Sequence, residues 1–513
     1  MFSATYSAGL CGIEGFPVIV ECNQNNTLDG FELVGLPDLA VKEAKERVRT
    51  ACANSGYRFP YTYITVNLAP ADRKKEGSAF DAAILAAIFH SGGIIHREVD
   101  MRNKCIVAEL SLSGKLRAVR GILSMCAAAR DHGFTEFYTS LANAREAAAV
   151  EGITVYGVPN MRALVRHLNG EELLSPTPRD SIGDTDTAGL YTADFADVRG
   201  QKFAKRAMEI AAAGGHNILL IGPPGTGKSM LAKRLPSILP PLSTEEALET
   251  TKIHSVAGTL SRDASLLTVR PFRAPHHTMS PVSLVGGGAS PRPGEISLAN
   301  NGVLFLDELP EFPKHVTDAL RQPIEDREVT ITRAAGRVTF PSSFMLVAAM
   351  NPCRCGYFGD PTHQCTCKPT DVQRYMSRIS GPLLDRIDIQ IELSSLSYDE
   401  LSLRDDPTAE SSSTIRERVC RAREFSRMRM GSDATFCNAL LDAAGVQKYC
   451  ILDERAHALF RNAYDNLGLS ARGHDRILRV ARTIADLDGS ELIRDKHIAE
   501  AIQLRSLDRK YRS

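Results

Sequence analysis

The stretch Asn217-Ile-Leu-Leu-Ile221-Gly222-Pro223-Pro224-Gly225-Thr226-Gly227-Lys228-Ser229, running on into MLAKRLPSIL, decides the reading of this chain. An apolar run of strand length leads into a loop that fits GxxxxGK[ST] in full, and a helical pattern follows. Glycines at 222, 225 and 227, with Pro223, Pro224 and Thr226 between them, let backbone N–H groups turn inward toward phosphate oxygens. The helix that begins at Lys228 adds its positive end. Lys228 would bring charge to the β- and γ-phosphates, and Ser229 would hold Mg²⁺. The surroundings expected of such a loop are α/β, with buried parallel strands.

Working outward, Val303-Leu-Phe-Leu-Asp307-Glu308 is a second apolar strand, ending in two carboxylates. Asp307 would hold Mg²⁺ through water, and Glu308 would orient or polarise an attacking water. Alone, such a pair is equally a surface feature; its weight comes from the phosphate loop upstream. A third strand, FMLVAAM, ends in Asn351, a polar group placed to reach the γ-phosphate or the water, or a plain turn Asn before Pro352. In Gly381-Pro-Leu-Leu-Asp385-Arg386-Ile-Asp388, Arg386 follows a sharp turn. It would reach a neighbouring subunit's nucleotide and steady transition-state charge. The alternative is an intrachain ion pair with Asp385 or Asp388, and Arg378 is a rival for the same role. Arg472, Arg476, Arg479 and Arg482 punctuate a helix further on, where one of them would reach back to the γ-phosphate and the rest would be solvated.

Cys353, Cys355, Cys365 and Cys367 form two CxC pairs with His363 between them. Four soft ligands so close together suit a closed, structural Zn²⁺ site; four free thiols are the alternative. In REVTITRAAGRVTFPSSF, two β-like runs around AAG predict a hairpin with Arg333 and Arg337 near its tip. Such a tip tracks a nucleic-acid backbone in a channel, or is simply a solvated hairpin. His276 and His277, as neighbours on a strand, would point to opposite sides and not share a metal.

The 513 residues predict about three domains. Lys+Arg and Asp+Glu both number 61, so any basic surface is local. With 43% apolar and 24% charged residues, long disorder is excluded. No apolar run reaches membrane-spanning length and no secretion signal is visible, so a cytoplasmic protein with reduced thiols and no membrane partner is expected. Residues 1–170 alternate strand-like runs with helices such as LAVKEAKERVRTACANSG, where Val41, Ala44, Val48 and Ala51 share a face. Residues 171–189 read as a linker, 190–395 as the α/β core with the Cys-rich insert 353–367, and 396–513 as a helical domain.

These motifs together resemble an AAA+ ATPase. Longer strings are more specific: RAPHHTMS, GGGASPRPGEISLANNGVLFLDELPEF, LRQPIEDREVTITR and AAMNPCRCG resemble the magnesium-chelatase-like AAA+ proteins of the ComM/YifB type, over essentially the whole chain. The resemblance implies ATP and Mg²⁺ as cofactors, a helical C-terminal lid, Arg479 as the sensor-2 arginine with Arg472 as rival, and a homo-oligomer, a hexamer by analogy. It also implies a DNA motor: a helicase that promotes branch migration in homologous recombination during natural transformation. Residues 1–170 resemble the Lon-protease-like fold (ribosomal protein S5 domain 2-like), through VNLAPADRKKEGSAFDAAILAAI and AELSLSGKLRAVRGILSMCAAARDHGF. Lon proteases use a Ser–Lys dyad; here Ala79 stands about where the Ser belongs, Ser78 is adjacent, and Leu123 replaces the Lys, which disfavours proteolysis. EGSAFDAAILAA also resembles a branch-migration protein of the RadA type, again pointing to DNA. A chelatase motor subunit is the competing implication, disfavoured by the N-terminal domain, and a protein-remodelling factor is another.

Overall fold

In a computed structural model, residues 1–25, 29–179, 193–261, 265–288, 291–333, 336–395, 409–431, 437–467 and 469–505 are described. The chain divides into two compact units. The first takes the described residues of 1–185, 244–267 and 332–340, and the second takes the rest. Of the sequence linker 171–189, residues 171–179 are described and pack in the first unit, where the Thr177 N–H donates to the Val155 carbonyl at 2.8 Å, and 180–189 lie outside the described residues.

The first unit is built on β1 (Phe2–Cys11), β2 (Glu14–Asn25), β3 (Gly30–Val34), α1 (Ala44–Asn54), β4 (Tyr63–Ala69), α2 (Asp81–Gly92), β5 (Lys104–Val107), α3 (Ile122–Asp131), β6 (Glu136–Ser140), α4 (Leu141–Ala148), β7 (Thr154–Val158) and α5 (Met161–Leu168). Its sheet runs β3-β4-β2-β1-β5-β6-β7. β1 lies antiparallel to β2 and parallel to β5. Strand β1 carries no sustained apolar run, since FSATYSAGLC is rich in small and hydroxyl residues, and it is held by pairing with Glu14–Asn23 of β2. The predicted helix around Val41 breaks at Glu43 into a turn, Leu39–Lys42, and α1, while Val41, Ala44, Val48 and Ala51 remain buried together. The helix Thr244–Ala257, which falls inside the stretch 190–395, packs in this unit: Ser255 donates to the Glu146 carboxylate and its carbonyl accepts from Gly121 N–H. Ala79 and Leu123, at the positions compared with the dyad, are buried, and the Ser78 hydroxyl donates to the Glu109 carboxylate.

The second unit carries α6 (Lys202–Gly214), β8 (Ile218–Ile221), α7 (Lys228–Ile238), β9 (Phe272–Arg273), β10 (Val303–Leu306), β11 (Met345–Met350), α8 (Pro369–Met376), β12 (Ile389–Glu392), α9 (Ser412–Met430), α10 (Glu454–Leu467), α11 (Ala471–Leu487) and α12 (Asp495–Gln503). Its five strands run β9-β10-β11-β8-β12 and every pairing is parallel. β8, β10 and β11 are buried along their whole length, as a sheet covered on both faces requires. Sheet, α6 and α7 share one core with α9 and α11, through residues such as Ile218, Leu231, Val347, Val419 and Ile484. Among the described residues, no helix is long and apolar enough to cross a membrane.

Candidate nucleotide site

In a parallel sheet the carboxyl ends of neighbouring strands open onto one edge, and ligands bind there. β8, β11 and β10 are consecutive neighbours, with Ile221 opposite Met350 and Leu306 opposite Ala348. Their next residues, Gly222, Asn351 and Asp307, therefore stand at one edge of the sheet. Gly222 N–H donates to the Met350 carbonyl at 3.2 Å. Beyond Gly222 the chain must turn sharply into α7, and Gly225 and Gly227 supply φ values of +81° and +88°. A Cβ at either would meet nothing within 4 Å, so the space beside each glycine is open.

Lys228 lies at the start of α7, only 9% exposed. Its Nζ donates to the carbonyls of Gly222 (2.7 Å) and Pro223 (2.8 Å) and to Asn351 Oδ1 (3.1 Å). Burial pushes its ammonium down to about 8, opposed by the charge of Asp307. Ser229 Oγ donates to Asp307 Oδ2 at 2.7 Å. This hydroxyl–carboxylate pair at a helix N-terminus is the donor set a hard cation with water ligands takes, so the residues present fit Mg²⁺ beside phosphates. Glu308 follows in a left-handed conformation, φ +52°, its carboxylate exposed. His277 Nδ1 lies 3.6 Å from Glu308 Oε2. Sequence gives no hint of this contact beyond the position of RAPHHT just after β9. The two histidines do not straddle a strand: they sit past its end, rings 4.1 Å apart.

The arginines fall in different environments. Arg386 is tied down by Arg321 O (3.0 Å), Pro382 O (2.8 Å) and Glu325 (2.8 Å), with 13% of its side chain exposed, and pairs with neither Asp385 nor Asp388 in these contacts. Arg378 is 47% exposed and holds Glu311 at 3.0 Å. On α11, Arg472 is exposed, whereas Arg476 is buried near Asp388 (3.7 Å), and burial pushes it down to about 10. Arg482 is buried against Asp486. Arg479 reaches the Ala439 carbonyl at 3.4 Å and leaves a buried Nε without a partner among the described residues. The hairpin strands are Glu328–Arg333 and Gly336–Pro341; Arg333 and Arg337 are exposed, while residues 334–335 lie outside the described residues. The thiols of Cys353, Cys355, Cys365 and Cys367 converge within 4.8 Å of one another. His363 turns instead to Asp360 and Thr362.

Residues 194–401 match the family described as magnesium chelatase, subunit ChlI. Residues 20–143 match subunit ChlI of Mg-chelatase, and 409–505 its C-terminal part. The chain is 43% identical over 506 residues to competence protein ComM of Haemophilus influenzae, covering 98% of this chain and 97% of that one. It is 42% identical to the protein YifB of Escherichia coli, at 99% and 97% coverage. Against the magnesium-chelatase 38 kDa subunit of Rhodobacter capsulatus it is 28% identical over 177 residues, 31% of this chain and 50% of that one.

Proposed function

The chain belongs to the magnesium-chelatase-like AAA+ family of the ComM/YifB type, and from that premise we propose that it is an ATP-driven, hexameric DNA motor. The reading is a helicase that promotes branch migration in homologous recombination during natural transformation. The observation that carries the ATPase half is the convergence of Lys228, Ser229, Asp307 and Asn351 on one open glycine loop. The DNA half rests on the full-length similarity to a competence protein. The match of 20–143 to a chelatase family means that the N-terminal domain does not by itself exclude chelatase work. Coverage separates the readings better, since the chelatase subunit aligns with 31% of this chain.

In this assignment the N–H groups of Gly225, Thr226, Gly227, Lys228 and Ser229, with the Lys228 ammonium, would hold the phosphates, and Ser229 and Asp307 would hold Mg²⁺, which supplies charge neutralisation there. Glu308 positions and polarises the water, with His277 beside it to fix the carboxylate's orientation. Asn351 passes from Lys228 to the γ-phosphate or the water. Of the two trans-finger candidates, exposure favours Arg378 over the tied Arg386. The unpaired donor of Arg479 supports it as the lid arginine over Arg472. Arg333 and Arg337 contact the DNA backbone, and the four cysteines hold a structural Zn²⁺.

The test is the ATPase rate with and without single-stranded, forked and four-way DNA, with Lys228→Ala as background. Stimulation by DNA that disappears in the variant is expected. A rate indifferent to every DNA would overturn the DNA assignment and favour the chelatase-type or protein-remodelling readings.

A further inference from the structure

The Cys-rich loop begins directly after Asn351-Pro352, so it is continuous with a residue bonded to Lys228. Its sulfurs are spaced for a metal. Cys353 lies 3.3 Å from Cys355 and 3.7 Å from Cys365, and Cys355 lies 3.5 Å from Cys365. A disulfide would bring two of them to about 2.05 Å. Tetrahedral Zn²⁺, with Zn–S about 2.3 Å, sets the sulfurs about 3.8 Å apart, close to what is observed. The turn between the first two cysteines is closed by its own backbone, the Gly356 N–H donating to the Cys353 carbonyl at 3.0 Å. Four thiolates fill a tetrahedral ion, which leaves no position for substrate.

The same loop touches the nucleotide site a second time. Gly356 has φ +91°, and a Cβ there would fall 2.6 Å from Cδ of Pro224, in the phosphate loop. The turn that closes the first CxC pair is thus pressed on the loop that cradles phosphate. Cys355, Cys365 and Cys367 are only half-buried, so little apolar packing holds the turn in place without an ion. Three anchor points of one site, Pro224, Asn351 and Lys228, are therefore linked to four thiols that a single cation would lock.

We propose that one Zn²⁺ bound by Cys353, Cys355, Cys365 and Cys367 clamps the phosphate loop and Asn351, so that nucleotide affinity depends on metal occupancy. The proposal rests on the nucleotide-site reading above.

The experiment uses the full-length chain, purified without chelator. Elemental analysis is expected to give one zinc per chain, and Co²⁺ exchange a tetrahedral thiolate absorption spectrum. A fluorescent ADP analogue is then titrated in constant Mg²⁺ before and after treatment with a zinc-selective chelator, and again after zinc is restored. Removal should weaken binding by about tenfold or more, the cost of losing one hydrogen bond to a charged group, and zinc should restore it. Gly356→Ala, which alters no ligand, should keep its zinc and still bind the analogue more weakly; this variant answers the question even where Cys355→Ser does not fold. Zinc stoichiometry near zero overturns the proposal, and so does zinc whose removal leaves the nucleotide affinity unchanged. Zinc-loaded protein that binds no more analogue than Lys228→Ala would instead overturn the nucleotide reading itself.

Discussion

Among the described residues, each compact unit buries one lysine on backbone carbonyls, and the two differ in what surrounds the ammonium. Lys75, in the first unit, is fully buried; its Nζ donates to the carbonyls of Pro70 and Arg73. Lys228, in the second, donates to the carbonyls of Gly222 and Pro223. Burial lowers both below the usual lysine range. Lys75 is enclosed by the loop it staples, with Asp72 the charge that opposes its deprotonation. Lys228 stands at a helix N-terminus, beside Asn351 and the Ser229–Asp307 pair, under glycines with open space above them. A desolvated cation is thus not a site by itself. In the proposed reading it becomes one where open space and further polar groups stand beside it, as at Lys228.

The largest test of this contrast is to remove each ammonium. Lys228→Ala is expected to lower ATP hydrolysis by about 10²–10³-fold, the usual cost of deleting one preorganised donor at developing charge. Phosphate release at saturating ATP measures it. Lys75→Met should leave turnover unchanged and act only on stability. Equal losses of turnover in both variants would break the comparison. Within the second unit, Glu308→Gln should keep binding the ADP analogue while hydrolysis falls about 10²-fold, at the low end for a general base whose water is still positioned. A Glu308→Gln protein that loses binding as well would mean that this exposed carboxylate supports the loop rather than the water.

Much of this site was legible because it is local and periodic. The phosphate loop is contiguous, and the carboxylates and Asn351 each stand at the end of an apolar run. Parallel pairing then obliges those ends to share an edge. What was illegible depends on contacts distant in sequence. The partners of Arg386, at 321 and 325, are set by helix packing, so spacing could not choose between a role at a neighbouring subunit's nucleotide and the alternative ion pair with Asp385 or Asp388. His277 meets Glu308 only because β9 and β10 are paired. The helix Thr244–Ala257 has the same pattern whichever unit it joins; its weak amphipathicity gives no address, and Ser255–Glu146 decides the matter. The convergence of the four thiols was readable as composition, but their pressure on Pro224 through Gly356 was not.

The two lysines also respond differently to pH. Free Lys228 holds its proton only up to about pH 8, and phosphate charge beside it would raise that value on binding. Binding then takes up a proton, so affinity should fall as pH rises above 8, by up to about tenfold per unit. Lys228→Arg, which stays charged, should bind with a flatter profile. For Lys75 no ligand intervenes and the effect is on folding. Its folded value is depressed, so the unfolded chain binds more protons, and the penalty is present at neutral pH and relieved as pH climbs toward about 10.4. Denaturant titrations across that range should show the wild type gaining stability relative to Lys75→Met.

The smallest expected effect concerns two glycines with positive φ, one in each unit. At Gly35, φ +99°, a Cβ would fall 2.2 Å from the Leu68 carbonyl oxygen. At Gly225, φ +81°, it would meet nothing within 4 Å. Gly35→Ala must displace backbone and should unfold the first unit at markedly lower denaturant, well beyond the cost of φ alone. Gly225→Ala carries only the conformational cost of a left-handed L-residue, about 1–2 kcal/mol, a small shift in the urea midpoint. Its methyl would enter the open space beside the loop, where the proposed function puts the phosphates, so the fluorescent ADP analogue should bind less tightly by more than that stability change implies. Unaltered nucleotide binding by Gly225→Ala would mean that the opening above the loop is spare volume, and that Lys228, like Lys75, is fastened for structure alone.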